Sequence, residues 1–179
     1  MVFASLKKRI AAFLLDYIII SAYIILLVVV GVGLGSGPLK SMFRLLFANP
    51  NISELSAFII LVFPVILYFT FFEHSSWQAT WGKRKMGLIV TDAKGGRISF
   101  IRSLVRSCLK FIPWELTHAC IWRIPNWPLS PSTPPPIIIA GLILVWIIVG
   151  TYLLSIFYTK KRQALYDSIA GTYVIIVGK

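Results

Sequence analysis

Long apolar segments, separated by short basic clusters, dominate the pattern of this chain. The first runs from about residue 10 to 30, the second from about 55 to 72, and the third from 137 to 158. As helices, at about 1.5 Å of rise per residue, each is about 27 Å or longer, enough to cross most or all of a bilayer core. The pattern therefore predicts an all-α membrane protein.

Local signals predict how the first two segments begin, end and bend. Alternating glycines from Gly31 and then Pro38 predict that the first helix ends near Val30. A short interfacial helix is expected over residues 39–47. Ser53 is a candidate cap for the second segment, and Pro64 predicts a kink whose freed carbonyl a neighbouring helix must satisfy.

A fourth, less hydrophobic segment at residues 99–122 is needed to balance the topology. Basic residues collect on the inner side of a membrane, and clusters occur at residues 7–9, 83–97 and 160–162. Three crossings cannot put all of these clusters on one side, whereas four can. With four, the basic residues left outside are Lys40, Arg44 and Arg123.

The basic residues of this fourth segment leave two arrangements open. Arg102, Arg106 and Lys110 repeat every four residues, which places them on one helical face. Residues 111–122 alone would span only about 18 Å. A crossing therefore needs the basic half partly buried, with side chains that reach back to the interface. The alternative is a helix lying flat on the inner surface.

Two stretches have the composition of strands. Residues 86–91 and 97–100 flank the glycine-containing turn at 92–96, which predicts a β-hairpin. The β-branched stretch 171–177 is a candidate third strand. The expected fold is thus four transmembrane helices with a small cytoplasmic β-hairpin or sheet, in a single domain over residues 1–179.

Composition and charge agree with a multi-pass cell-membrane protein. Charged residues make up 13% of the chain, against about 25% in soluble domains. The net charge of +12 is spread beside apolar segments, so we expect no nucleic acid binding. The first apolar segment is too long for a cleaved signal and contains Asp16. Both termini are expected in the cytoplasm.

Asp16 is the strongest candidate functional residue. It lies within the first apolar segment, where a carboxylate is costly unless it lines a pathway or is paired. It would bind a proton or a cation, or it would form a structural ion pair with Arg106, Lys110 or Arg162. Both interpretations stay open.

Two further pairs carry candidate chemistry. Arg9 and Asp167 would meet at the inner edge of the membrane, as a transport element or as a structural staple. Glu115 and His118 lie three residues apart on one helix face. They would relay protons, since histidine titrates near neutral pH, or would simply face the outer interface. We found no signature of an enzyme, a cofactor or a metal site.

Three motifs in order resemble the RDD family of small membrane proteins. They are Arg9 to Asp16 (RIAAFLLD), Thr80 to Val90 (TWGKRKMGLIV) and Arg162 to Thr172 (RQALYDSIAGT). The family is named for an arginine and two aspartates, which match Arg9, Asp16 and Asp167. Tyr166 and Ser168 depart from the usual histidine and arginine beside the second aspartate. The resemblance implies transport, with monovalent cation/proton antiport proposed for members.

We therefore expect a small transporter that exchanges protons and monovalent cations at Asp16, aided by Arg9 and Asp167. Because four helices rarely enclose a pathway alone, we expect a homo-oligomer. Residues 82–85 would contact anionic lipid head groups. The alternative is a non-transporting scaffold or accessory protein, whose polar residues only hold the helices together and whose hairpin binds a partner.

Overall fold

The computed structural model describes residues 1–46, 49–127 and 131–177. Eight α-helices and two strands lie in these ranges, and a π-helical turn at Phe58–Val62 joins α3 to α4. The helices are α1 (Leu6–Ser36), α2 (Lys40–Leu45), α3 (Pro50–Ala57), α4 (Phe63–His74), α5 (Trp81–Lys85), α6 (Phe100–Ile121), α7 (Pro136–Tyr158) and α8 (Leu165–Ala170). The strands are β1 (Leu88–Thr91) and β2 (Tyr173–Ile176).

Within the described ranges, three helical stretches are long and apolar enough to cross a membrane, namely Leu6–Ser36, Pro50–His74 and Pro136–Tyr158. They contain the three apolar segments of the sequence, and much of their surface is exposed, as lipid-facing helices require. Helix α6 does not meet this criterion. The protein is therefore a mostly helical membrane protein.

Helix α1 is longer than the sequence predicted. It begins after Ser5, whose hydroxyl accepts a hydrogen bond from the Lys8 amide, and it runs to Ser36. The glycines after Val30 do not end it, so that boundary was wrong. A helix in an apolar environment keeps its backbone hydrogen bonds, because no water competes for them.

The second membrane helix starts earlier than predicted and is irregular near Pro64. Its cap is Asn49, whose side chain accepts the Ile52 amide, and not Ser53. Pro64 has no N–H to offer the carbonyl one turn earlier. That carbonyl, on Ile60, accepts the hydroxyl of Tyr23 from α1. The prediction that a neighbour satisfies the freed carbonyl is thus confirmed.

Helix α6 runs antiparallel to the α3–α4 stretch along its length. Near its start the Ser103 hydroxyl donates to the Thr70 carbonyl at 2.9 Å. Beyond its end Arg123 reaches Glu54, in α3, at 2.5 Å. Contacts of this kind at both ends place the two ends of α6 at opposite ends of the helical bundle.

A two-stranded antiparallel sheet closes one end of the bundle. Leu88 pairs with Ile176 and Thr91 with Tyr173, and Phe3 bridges to the outer side of β2. Residues 97–100 are not a strand, so the predicted hairpin was wrong. Ile98 is buried there, and Ser99 caps α6 by accepting the Arg102 amide. The prediction of a small sheet was correct, but the strand that pairs with β1 is β2, which lies within the predicted stretch 171–177.

This end carries residues 1–5, the turns around α5 and the segment from the end of α7 to residue 177, and with them most basic residues. We call it the basic end. The opposite end, which holds the starts of α3 and α7, is the far end. The packed interior has an aromatic cluster around Phe69 and Phe111 between α1, α4 and α6, and an aliphatic cluster under the sheet.

Candidate functional site

Asp167 is the centre of one half of a buried charged cluster at the basic end. It lies in the first turn of α8, where its carboxylate accepts the Ala164 amide at 3.3 Å. Arg9 of α1 donates to one carboxylate oxygen at 2.6 Å, and Arg106 of α6 donates to the other at 2.7 Å. The predicted pairing of Arg9 with Asp167 is present, and Arg106 completes it.

Glu73 is the centre of the other half. It is fully buried at the end of α4, where it accepts Lys83 Nζ at 2.7 Å and the guanidinium of Arg106. Arg106 therefore bridges two acids while its own side chain is only 2% exposed. The charged cluster joins five helices and consists of Arg9, Glu73, Lys83, Arg106 and Asp167.

The surroundings of α8 shift the pKa values of its own titratable groups. Burial opposes the charge on Asp167, but Arg106 and Arg9 outweigh it and hold the pKa of that carboxyl below its usual value. Burial and the neighbouring Asp167 raise the pKa of Tyr166 to about 12. At neutral pH the carboxyl is therefore charged and the phenol neutral.

Asp16 contacts no basic side chain within ion-pair distance among the described residues. Its carboxylate is fully buried and accepts three hydrogen bonds: from the Tyr68 hydroxyl at 2.9 Å, the Thr80 hydroxyl at 2.6 Å and the Gly82 amide at 2.7 Å. Of the two interpretations of Asp16, the structural ion pair with Arg106, Lys110 or Arg162 is therefore not supported. Arg106 is taken by Glu73 and Asp167, and Asp16 fastens α5 to α1.

Gly82 makes this fastening possible. A Cβ atom at Gly82 would lie 2.1 Å from the Ala12 carbonyl oxygen and 2.9 Å from the Asp16 carboxyl carbon. Only a residue without a side chain lets the start of α5 approach α1 so closely. The motif residues around Asp16 and Gly82 thus form one packed unit.

A cavity of about 280 Å³ lies between α1, α6 and α7, next to the charged cluster. Its wall is mostly apolar, with charged side chains at Arg9, Asp16, Lys83, Arg106 and Lys110. Of these, Lys110 has no carboxylate within ion-pair distance in the described part of the chain. Its Nζ lies 3.3 Å from the ring centroid of Phe69, 5.0 Å from that of Phe13 and 5.2 Å from that of Phe111.

Glu115 and His118 lie further along α6, outside the lining of this cavity. Glu115 Oε2 and His118 Nδ1 are 3.9 Å apart and do not share a hydrogen bond. The His118 ring packs edge-on against Trp114, which does line the cavity. The pair is thus near the site but not part of it.

The sequence interpretation missed Glu73 and Lys83. Glu73 directly follows the apolar segment 55–72. Its position could have marked it as a candidate, because an acid at the end of a membrane span must be paired or exposed. Among the described residues, no group of three potential metal ligands occurs, and His74 contacts the Ile98 carbonyl.

Comparison with known proteins gives one match. The sequence model that defines the RDD family matches residues 3–171, nearly the whole chain. No curated protein and no solved structure matches.

Proposed function

This chain belongs to the RDD family, and on that premise we propose that it is a four-crossing membrane transporter that exchanges a monovalent cation for a proton. Both termini would lie in the cytoplasm, and a homo-oligomer would be the working unit. The observation that carries the proposal is the half-buried Lys110 at the wall of the cavity, which has no carboxylate within ion-pair distance among the described residues.

The contacts of α6 support a fourth crossing. Ser103 touches α4 near the basic end, and Arg123, just past α6, reaches α3 at the far end. A helix lying flat on one membrane surface would not meet both ends of a spanning neighbour. Arg106 explains how so polar a helix can cross, since its charge is matched inside the protein by Glu73 and Asp167.

Lys110 differs from the other cations of the cavity because, among the residues that the structure describes, no carboxylate lies within ion-pair distance of it. Arg9, Lys83 and Arg106 all contact Glu73 or Asp167. An ammonium group held away from water without a partner loses solvation free energy. Lysine can relieve this by releasing its proton, whereas arginine cannot. Lys110 is therefore the group best suited to carry a proton.

An exchange at this position conserves charge. When Lys110 releases one proton, the cavity loses one positive charge, while the Asp16 carboxylate and the rings of Phe13, Phe69 and Phe111 remain. Ring faces attract cations, so one monovalent cation can take the place of the lost charge. Reprotonation of Lys110 then expels it. One proton moves against one cation.

Asp16 has a different role in this scheme from the one the sequence suggested. Its oxygens already accept three hydrogen bonds from uncharged groups. It supplies fixed negative charge at the cavity and holds α5, while Lys110 carries the proton. Arg9 and Asp167 form the inner edge of the site.

A scaffold or accessory role is the second candidate, favoured by the charged cluster itself. Its ion pairs tie α1, α4, α5, α6 and α8 together, which is what a purely structural network does. In this case Lys110 moves no proton, and the protein conducts no ion.

The two candidates separate in proteoliposomes loaded with a pH-sensitive dye. An outward gradient of Na⁺ or K⁺ is expected to drive proton movement in the unaltered protein, and Lys110→Met is expected to reduce it by about a hundredfold or more, the lower end of the range for a proton-transfer group. Lys110→Arg should fail as well, because arginine keeps its proton. Lys94→Gln, an exposed position outside the site, serves as the control.

Stability measurements keep this test independent of folding. Lys110→Met removes a half-buried charge that has no ion-pair partner in the described ranges, and it should leave the melting temperature in detergent unchanged or raise it. Full exchange in Lys110→Met would remove Lys110 from the mechanism. Absence of flux in the unaltered, folded protein would favour the scaffold.

A further inference from the structure

Two tryptophans around α5 each hold a cation against the ring. The Arg84 guanidinium carbon lies 4.3 Å from the ring centroid of Trp77, and Lys85 Nζ lies 5.8 Å from that of Trp81. These four residues, the Trp–Arg patch, lie on the outside of the protein. Trp77 is 50% exposed and Trp81 is 38% exposed.

The two cations of the patch are not neutralised by the protein. In the described ranges, neither Arg84 nor Lys85 has a carboxylate within ion-pair distance, whereas the adjacent Lys83 turns inward to Glu73. Two positive charges therefore remain available to an external anion.

The patch lies at the level where the chain leaves the apolar span. Helix α4 ends at His74, three residues before Trp77, and Trp77 stacks on Phe72 in the last turns of α4 at 5.6 Å. Asp16 fixes α5 against α1, so the patch cannot move away from the bundle. Tryptophan is enriched at the membrane interface, where it combines an apolar ring with a polar N–H.

The stacked arrangement suits a phosphate group. When the face of a guanidinium rests on an indole, the N–H donors along its edge stay free and can bind two oxygens of one phosphate. Lys85 adds a second charge nearby. The apolar surface of Trp77 and Phe72 next to it would accommodate an acyl chain, which free phosphate does not have.

We propose that the Trp–Arg patch is a binding site for the phosphate of an anionic phospholipid in the leaflet at the basic end. It is separate from the cavity of Lys110, and it needs no transport activity. From the sequence we expected contacts with anionic lipid head groups anywhere within residues 82–85. The structure narrows them to Arg84 and Lys85 on a tryptophan support and assigns Lys83 to the interior.

The test is binding of phosphatidylglycerol to the full-length protein, measured by native mass spectrometry against phosphatidylcholine. Arg84→Gln is expected to weaken the preference for the anionic lipid about fivefold, the size expected for one basic residue at a membrane surface. Arg84→Lys should also weaken it, because the forked donor is lost, and Trp77→Leu should weaken it by releasing Arg84. Lys94→Gln removes one charge from an exposed position of the same end and should have little effect.

Three outcomes would overturn the proposal. An equal loss in Lys94→Gln would mean a diffuse charge effect without a site. Unchanged binding of phosphatidylglycerol by Arg84→Lys or Trp77→Leu would show that the guanidinium held on Trp77 does not recognise the lipid. Competition by millimolar inorganic phosphate as strong as by phosphatidylglycerol would identify a site for free phosphate and not for lipid.

Discussion

At the residue scale, the roles of Asp16 and Gly82 are set by the residues that they contact in the fold. Asp16 was visible in the sequence as an acid within an apolar helix, but its partners were not, because Tyr68, Thr80 and Gly82 are 52 to 66 residues away and two of them donate from uncharged side chains. Gly82 belongs to one of the three motifs, but the sequence alone does not explain why this position is a glycine. Only the 2.1 Å approach of a Cβ to the Ala12 carbonyl gives that reason.

The close approach at Gly82 predicts a sharp effect of one methyl group. Gly82→Ala should lower the free energy of unfolding by about 1–3 kcal/mol, the usual range for overpacking, because neither the Ala12 backbone nor Asp16 can withdraw easily. Gly150→Ala, in α7, has nothing within 4 Å of the new Cβ and is the control. Unfolding in mixed micelles measures both. Equal stability of the two variants would contradict the packed contact.

At the level of elements, prolines inside helices create bonds between helices. Pro113 removes the amide that would serve the Leu109 carbonyl, and that carbonyl accepts the Tyr152 hydroxyl of α7 at 2.7 Å. Pro64 and Tyr23 repeat the arrangement between the second membrane helix and α1. The sequence predicted the need for a donor at Pro64 but not its identity, since the tyrosines are 37 and 43 residues from their acceptors.

This arrangement predicts coupling between Tyr152 and Pro113. Tyr152→Phe should cost about 1–3 kcal/mol of unfolding free energy, because a partly buried carbonyl loses its donor. In a Pro113→Ala background the helix amide is restored, so the same change should cost much less. A double-mutant cycle measures this coupling, with the exposed Tyr158→Phe as the control. Additive effects would mean that the hydroxyl does not replace the missing amide.

At the scale of the whole molecule, the apolar pattern was enough to predict three membrane helices, and the charge balance pointed to α6. The strand at residues 171–177 was foreseen, but its partner was not, because register and pairing depend on contacts far apart in sequence. The same holds for the charged cluster. The sequence placed Arg106 on a partly buried basic face and made it a candidate partner of Asp16, and only the fold brings Glu73 and Asp167 to it.

The proposals for the charged cavity rest on α6 passing between the two membrane surfaces, and sided labelling tests this most directly. In a Cys108→Ser, Cys120→Ser background, Ala93→Cys and Thr133→Cys introduce single exposed thiols before and after α6. A membrane-impermeant maleimide applied to intact cells should label Thr133→Cys, and label Ala93→Cys only after permeabilisation. Labelling of both positions from one side would contradict a crossing by α6, and with it the proposed exchange site at Lys110.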